Sequence, residues 1–133
     1  MRLWISAAAA NGFLAVALGA YAAHSLHGRV DPELVGWVEL GADYGLAHAL
    51  ALLGVGLLAG RTARPGLTLR LAGWSFLAGT LLFSGALYVM GVTGLRALGP
   101  IVPVGGLLYL AGWVALFGYG LGLRGAPEAG PPS

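Results

Sequence analysis

Four long apolar stretches, separated by three more polar connections, account for most of the chain. The first runs from Leu3 to Ala23 behind a single charge at Arg2. About 20 residues rising ~1.5 Å each are enough to cross ~30 Å of hydrocarbon, so this run is long enough to span a membrane. The charged start and the small residues at Ala20-Tyr21-Ala22 also fit a cleavable signal peptide, but the length favours a first membrane helix, residues 3–23.

The stretch from His24 to Asp43 is the one strongly polar segment, with two of the three histidines and four of the five acids. Asp31-Pro32-Glu33 reads as a helix start, because an aspartate caps free amides and proline at the first helical position loses nothing. A helix unbroken from Pro32 to Gly60 would be about 43 Å long, well beyond the hydrocarbon. The pattern therefore predicts an amphipathic interfacial segment over Pro32 to Leu40, a bend at Gly41 and a second span over 42–59. Gly60 to Gly66 combines arginines with turn formers and reads as a loop. The third span starts at Leu67 or Arg70 and covers about 70–92, and the fourth covers 100–123. Residues 124–133 are rich in Pro, Gly and Ala and are expected to form a disordered tail. The predicted fold class is all-α: a four-helix transmembrane bundle, one domain over 1–123, with a short outer-side amphipathic segment between helices 1 and 2.

Composition sharpens that picture. Only 9% of residues are charged and 58% are hydrophobic, against roughly 25% charged in a soluble domain, and four spans leave no room for a soluble catalytic domain. The absence of cysteine excludes disulfides, thiol nucleophiles, thiolate zinc sites and iron–sulfur clusters. All seven basic residues are arginines, and they punctuate helix ends instead of gathering on one face, which argues against nucleic acid as a partner. Arg2, Arg61, Arg64, Arg70 and Arg124 fall on one side of a four-span topology, with Arg29 and Arg96 on the other. That bias predicts cytoplasmic termini, with the 24–43 segment and the 93–99 loop facing outward. A single asparagine and no glutamine or lysine fit a GC-rich genome and a thermophile-like composition.

Small residues four apart let helices approach closely in lipid. Such sets are Ala15-Gly19-Ala23, Gly41-Gly45, Gly56-Gly60, Ser75-Gly79 and Gly118-Gly122. They predict tight packing, and secondarily a self-association face.

Polar residues inside spans turn inward, because hydrocarbon offers them no partner. At helical periodicity, Trp37, Gly41, Tyr44, His48 and Val55 share one stripe of helix 2, and Leu77, Leu81, Ser84, Tyr88 and Gly91 one stripe of helix 3. The two stripes are expected to face each other, with His24, Asp43, Arg96 and Pro100 around the same outer mouth. His48, Ser84 and Tyr88 then have two readings: interhelical hydrogen-bonding glue, or a site for a proton, an ion or a lipid-like head group. Asn11 has no obvious companion and reads as an ordinary interhelical hydrogen bond.

Catalytic patterns are missing. No His-Glu-x-x-His helix, phosphate loop or nucleophile elbow is present, and Ser84 before Gly85 has no identifiable base. His24 and His27 with Asp31 have metal-ligand spacing, but solvation beside a helix end is the better reading, and no metal or cofactor is assigned.

The polar blocks also carry a resemblance. Gly19-Ala20-Tyr21-Ala22-Ala23-His24, Tyr44 with His48-Ala49-Leu50-Ala51-Leu52-Leu53, Phe83-Ser84-Gly85-Ala86-Leu87-Tyr88, and Gly99-Pro100-Ile101-Val102-Pro103-Val104-Gly105-Gly106 through Gly112-Trp113 resemble, in order, the signature blocks of the YgdD/YwdK family. These are small bacterial inner-membrane proteins, with a related transmembrane protein in animal mitochondria. The resemblance implies four membrane helices and no assigned biochemical role. Its blocks match at His24, Tyr44, His48, Ser84, Tyr88, Pro100, Pro103 and Gly105, while Gly45, Ala86 and Val102 stand where relatives are more polar. A hydrophilic transport pathway is thereby disfavoured. The expected function is a non-enzymatic structural, accessory or interaction module in the lipid bilayer, as a homo-oligomer or within a larger membrane complex. The alternative is a carrier or binding protein for a small hydrophobic, lipid-like or protonatable ligand held by His24, Tyr44, His48, Ser84 and Tyr88.

Overall fold

A computed structural model describes residues 1–123 and Gly130. The tail expected over 124–133 lies, Gly130 apart, outside the described residues. Four helices are long and apolar enough to cross a membrane: α1 (Arg2–Leu26), α2 (Pro32–Ala59), α3 (Leu67–Thr93) and α4 (Ile101–Leu123). The bundle predicted from the pattern is the one found.

The helix ends follow local chemistry. Asp31 caps α2 by accepting the Glu33 amide proton at 2.9 Å, with Pro32 in the first turn. Gly94 ends α3 in the left-handed conformation at φ 74°, where a side chain would be strained.

Two expectations about helix shape are corrected. The bend at Gly41 is absent, and α2 runs unbroken through its 28 residues, so the amphipathic turns are its own first turns. The reason is packing at that end. Gly41 lies against the Tyr88 ring and Gly91 against the Leu34 carbonyl, contacts made within the unbroken helix.

The second correction concerns α3, which contains a π-helical turn over Thr80–Gly85. Phe76 and Ser84 are eight residues apart, which in an α-helix leaves them about 80° out of register. The wider turn absorbs the surplus residue. Both side chains are fully buried, whereas Leu81, expected on the inward stripe, points outward at 65% exposure.

The core has three levels. Trp4, Leu52, Val55, Leu69 and Phe76 pack toward the end that carries Met1 and the 60–66 loop. Ala22, Leu26, Val35, Val38 and Ala42 pack toward the other end. Between them lie the three buried polar residues among those described, Asn11, His48 and Ser84. α1 sits in the angle between α2 and α3, with Ile5 against Gly56 and Trp4 against Gly73. On the opposite flank, α4 buries Gly105, Tyr109 and Gly112, one stripe at helical spacing. Of the small pairs expected to drive packing, Gly41 and Gly45 are closely covered, whereas none of the described residues comes within 4 Å of a Cβ at Gly122 and Ala23 is exposed.

At the end away from Met1, Arg96 makes a two-pronged ion pair with Glu33, at 3.2 and 2.9 Å, and lies over the Trp37 ring at 4.9 Å. Hydrogen bonding to the Glu33 carboxylate holds the guanidinium above the ordinary arginine range. Arg96→Ala is expected to release the connection between α3 and α4. Hydrogen exchange at residues 95–98 should speed up, and high salt should mimic part of the change in the parent. Unchanged exchange would mean that the backbone alone holds the loop.

Candidate functional site

The five side chains singled out from the sequence do not form one cluster. His24 is exposed on the π-helical end of α1, Ala22–Leu26, whose inward positions go to Ala22 and Leu26. It does not join the site. The other four divide between two sides of the bundle.

His48 occupies the side between α2 and α4. Its Nδ1–H donates to the Tyr44 carbonyl one turn back at 2.7 Å, and its Nε2 accepts from the Trp113 indole N–H at 3.0 Å. A carbonyl can only accept and an indole N–H only donate, so these partners select the neutral Nδ1–H tautomer and engage both nitrogens. The imidazole lies flat on the Tyr109 ring, with centroids 3.5 Å apart and planes 9° from parallel. Tyr44 continues the aromatic wall, 4.9 Å from Phe83, and Phe76 closes it behind, 5.1 Å from Trp113.

These rings form the floor of an open groove of about 540 Å³. α2 supplies Tyr44 and His48, α3 supplies Phe83, and α4 supplies Gly106, Tyr109 and Trp113. Leu107 and Leu110 edge the groove at 65% and 63% exposure, so it opens sideways, toward what would be lipid. Along α4 it extends from Pro103 to Trp113, ten residues or about 15 Å. That is close to half of the ~30 Å hydrocarbon thickness. The volume falls within the ~300–1,000 Å³ of small-molecule sites.

Ser84 and Tyr88 face elsewhere. Ser84 is fully buried behind Tyr109 and hydrogen-bonds its phenol oxygen at 3.1 Å. Tyr109 in turn donates to Thr80 Oγ1 at 3.2 Å, so Ser84 is the donor of the first bond. Tyr88 donates to the Gly41 carbonyl at 3.0 Å and packs its ring on that glycine. Asn11, read from the sequence as an ordinary interhelical hydrogen bond, donates to the Gly45 carbonyl at 2.9 Å and to Thr80 Oγ1 at 3.3 Å. Ser84 and Tyr88 are thus interhelical ties, while Tyr44 and His48 line an open groove.

Three participants were missed in the sequence: Thr80, Tyr109 and Trp113. The signal for the last two was present. Tyr109 and Trp113 are four apart on one helix face, and Tyr109 falls on the stripe of Gly105 and Gly112. Thr80 carried no such mark, because its inward placement depends on the π turn. Among the described residues, no group of three His, Asp or Glu side chains is placed to hold a metal ion.

Comparison with known proteins places the chain. A family model described as a protein of unknown function, DUF423, matches residues 18–106. The UPF0382 membrane protein SAB0533 of Staphylococcus aureus is 38% identical over 116 residues, 87% of this chain and 93% of its own length. The UPF0382 membrane protein YwdK of Bacillus subtilis is 38% identical over 87% of this chain and 94% of its own length. A UPF0382 membrane protein of Haemophilus influenzae is 38% identical, covering 85% and 89%. No solved structure matches. The family resemblance seen in the polar blocks and the four apolar helices thus lead to one conclusion: the chain belongs to the UPF0382 (DUF423) family of membrane proteins.

Proposed function

We propose that this protein is a non-enzymatic binding module of the bacterial inner membrane that holds one apolar chain of a lipid or lipid-like amphiphile in the groove between α2 and α4. The observation that carries the reading is the groove itself, about 540 Å³, lined by aromatic rings and aliphatic side chains and open toward lipid. Water is a poor occupant, since both nitrogens of His48 are already engaged and the remaining wall is apolar. A length near that of one leaflet suits a single acyl or isoprenoid chain lying parallel to the helices. Tyr44, at 46% exposure, adds an aromatic ring to the open wall of the groove. The arginine bias supports cytoplasmic termini, with the Pro103 end of the groove toward the outer leaflet. A catalytic role is disfavoured because the Ser84 hydroxyl is buried and tied to Tyr109. Of the two functions expected from the sequence, a structural or interaction module and a ligand carrier, the groove favours binding, with Tyr44 and His48 as the contributing residues.

The test is native mass spectrometry of the protein extracted gently from its own membranes. A retained mass of a few hundred daltons is expected in the parent and is expected to vanish in Gly106→Phe. A Cβ at Gly106 meets the Phe83 ring only at ordinary contact, 3.7 Å, so the backbone has room for the change and the larger ring fills the groove. If the parent carries no small molecule, or the mass persists with the groove filled, the binding reading falls and the module is an interaction component.

A further inference from the structure

The Pro103 end of the α2/α4 groove leads toward the one ion pair found among the described residues, Arg96 with Glu33. Along α2 the groove's lining begins at Tyr44, and along α4 it begins at Pro103. Trp37 precedes Tyr44 by seven residues, and Arg96 precedes Pro103 by seven. Seven residues are close to two helical turns, so Trp37 lies on the Tyr44 face of α2, about 10 Å nearer the start of that helix. Arg96 comes to the same place from the connection that feeds α4. Its guanidinium lies over the Trp37 ring at 4.9 Å and bonds both oxygens of Glu33. Leu40 on α2 and Pro100 and Ile101 at the start of α4, which fall between the groove and the pair in chain order, are all exposed.

The pair keeps spare bonding capacity and is open, with side chains 60% and 51% exposed. Of the five N–H groups of a guanidinium, two go to Glu33, and each carboxylate oxygen accepts one of them. That leaves donors on Arg96 beside free acceptor positions on Glu33, and no net charge. A plain anion at Arg96 is opposed by the Glu33 carboxylate, and a plain cation at Glu33 by the guanidinium. A zwitterion with a phosphate and a protonated amine satisfies both at once. Phosphoethanolamine has that chemistry. Phosphocholine offers the phosphate but no N–H for Glu33, and phosphoglycerol offers no cation. The spacing agrees, because the head-group layer outside the hydrocarbon is about 5–8 Å thick on each side. A chain seated from Pro103 to Trp113 therefore leaves its head group near the level of the pair.

We propose that the Glu33–Arg96 pair selects the head group of the lipid held in the α2/α4 groove, and that this head group is phosphoethanolamine, its phosphate on Arg96 and its ammonium on Glu33. The inference rests on the chain-binding reading of that groove. Its test uses the full chain in vesicles of equal parts phosphatidylethanolamine, phosphatidylcholine and phosphatidylglycerol with identical acyl chains, released gently for native mass spectrometry. The quantity read is the ratio of the lipids retained. In the parent, phosphatidylethanolamine is expected to exceed each of the others about fivefold, the upper end of what one exposed ion pair supports. Glu33→Gln leaves Arg96 without its counter-charge, so the preference is expected to pass to phosphatidylglycerol. Arg96→Gln, the second variant should the first fail to fold, removes the phosphate partner and is expected to bring the three lipids to the ratio supplied. Retention in the supplied ratio by the parent overturns the head-group proposal and leaves the chain groove standing. A phosphatidylethanolamine preference unchanged in the variants overturns it equally, since the head group is then read elsewhere. A parent that retains no lipid at all removes the groove reading, and this inference with it.

Discussion

Gly105→Ala is expected to be the most damaging single-methyl change in the molecule, lowering stability by about 3 kcal/mol, at the upper end for overpacking. A Cβ at that position meets backbone, not a movable side chain: it falls 2.7 Å from the Leu82 carbonyl carbon and against the Phe83 amide nitrogen. A rotamer change cannot relieve that contact, so α4 has to move away from α3 as a unit. Lipid supplies no hydrophobic force to push it back, because association inside a bilayer depends on close packing and hydrogen bonds. The movement should also break the Trp113–His48 and Tyr109–Thr80 bonds that α4 makes with its neighbours. Steric-trap or mixed-micelle unfolding measures the loss, and Gly106→Ala one residue on is the control, since its Cβ has ordinary contacts only. Equal stabilities for the two variants would show that α4 docks by some other means.

His48→Leu is expected to cost about 2 kcal/mol, combining roughly 1 kcal/mol for an interhelical hydrogen bond with a similar amount for ring stacking. The volume is nearly kept. What disappears is the acceptor for the Trp113 N–H and the flat face on Tyr109. Trp113→Phe removes the donor together with part of the ring packed on Phe76. A double-mutant cycle between the two is expected to give a coupling of about 1 kcal/mol, whereas strict additivity would mean that the bond contributes nothing. The same pair also shapes the groove. Without the bond the indole is free to turn, and with Phe in its place that wall of the groove is smaller, so both single variants should weaken retention of an apolar chain even where the bundle remains folded.

Much of this architecture was legible in the chain. Four spans, the helix start at Asp31-Pro32 and the burial of Asn11, His48 and Ser84 all follow from local rules, because hydrocarbon penalises every unpaired polar group and each span must satisfy its own backbone. Periodicity also placed Gly41, Ser84, Tyr88 and Gly91 on faces that meet.

What could not be read was which polar residue meets which. Polar residues facing inward need partners, but pairing depends on helix rotation and depth, and one extra residue in a turn changes both. The π turn over Thr80–Gly85 turned Leu81 out, brought Thr80 in and let Tyr109 take both Ser84 and Thr80. Simple periodicity groups Ser84 with His48, although the Tyr109 ring separates their roles. His24, expected at the outer mouth, is exposed on the π-helical end of α1. Hydrophobic pattern and glycine content by themselves determined a compact four-helix membrane bundle with a polar middle. Only the packing of four specific helices decided that this middle serves two flanks, one presenting His48 to a lateral groove and the other tying Asn11 to Gly45 and Thr80. The physical reason is that burial is set residue by residue along each helix, whereas a cavity is what remains between helices after their closest contacts have been made.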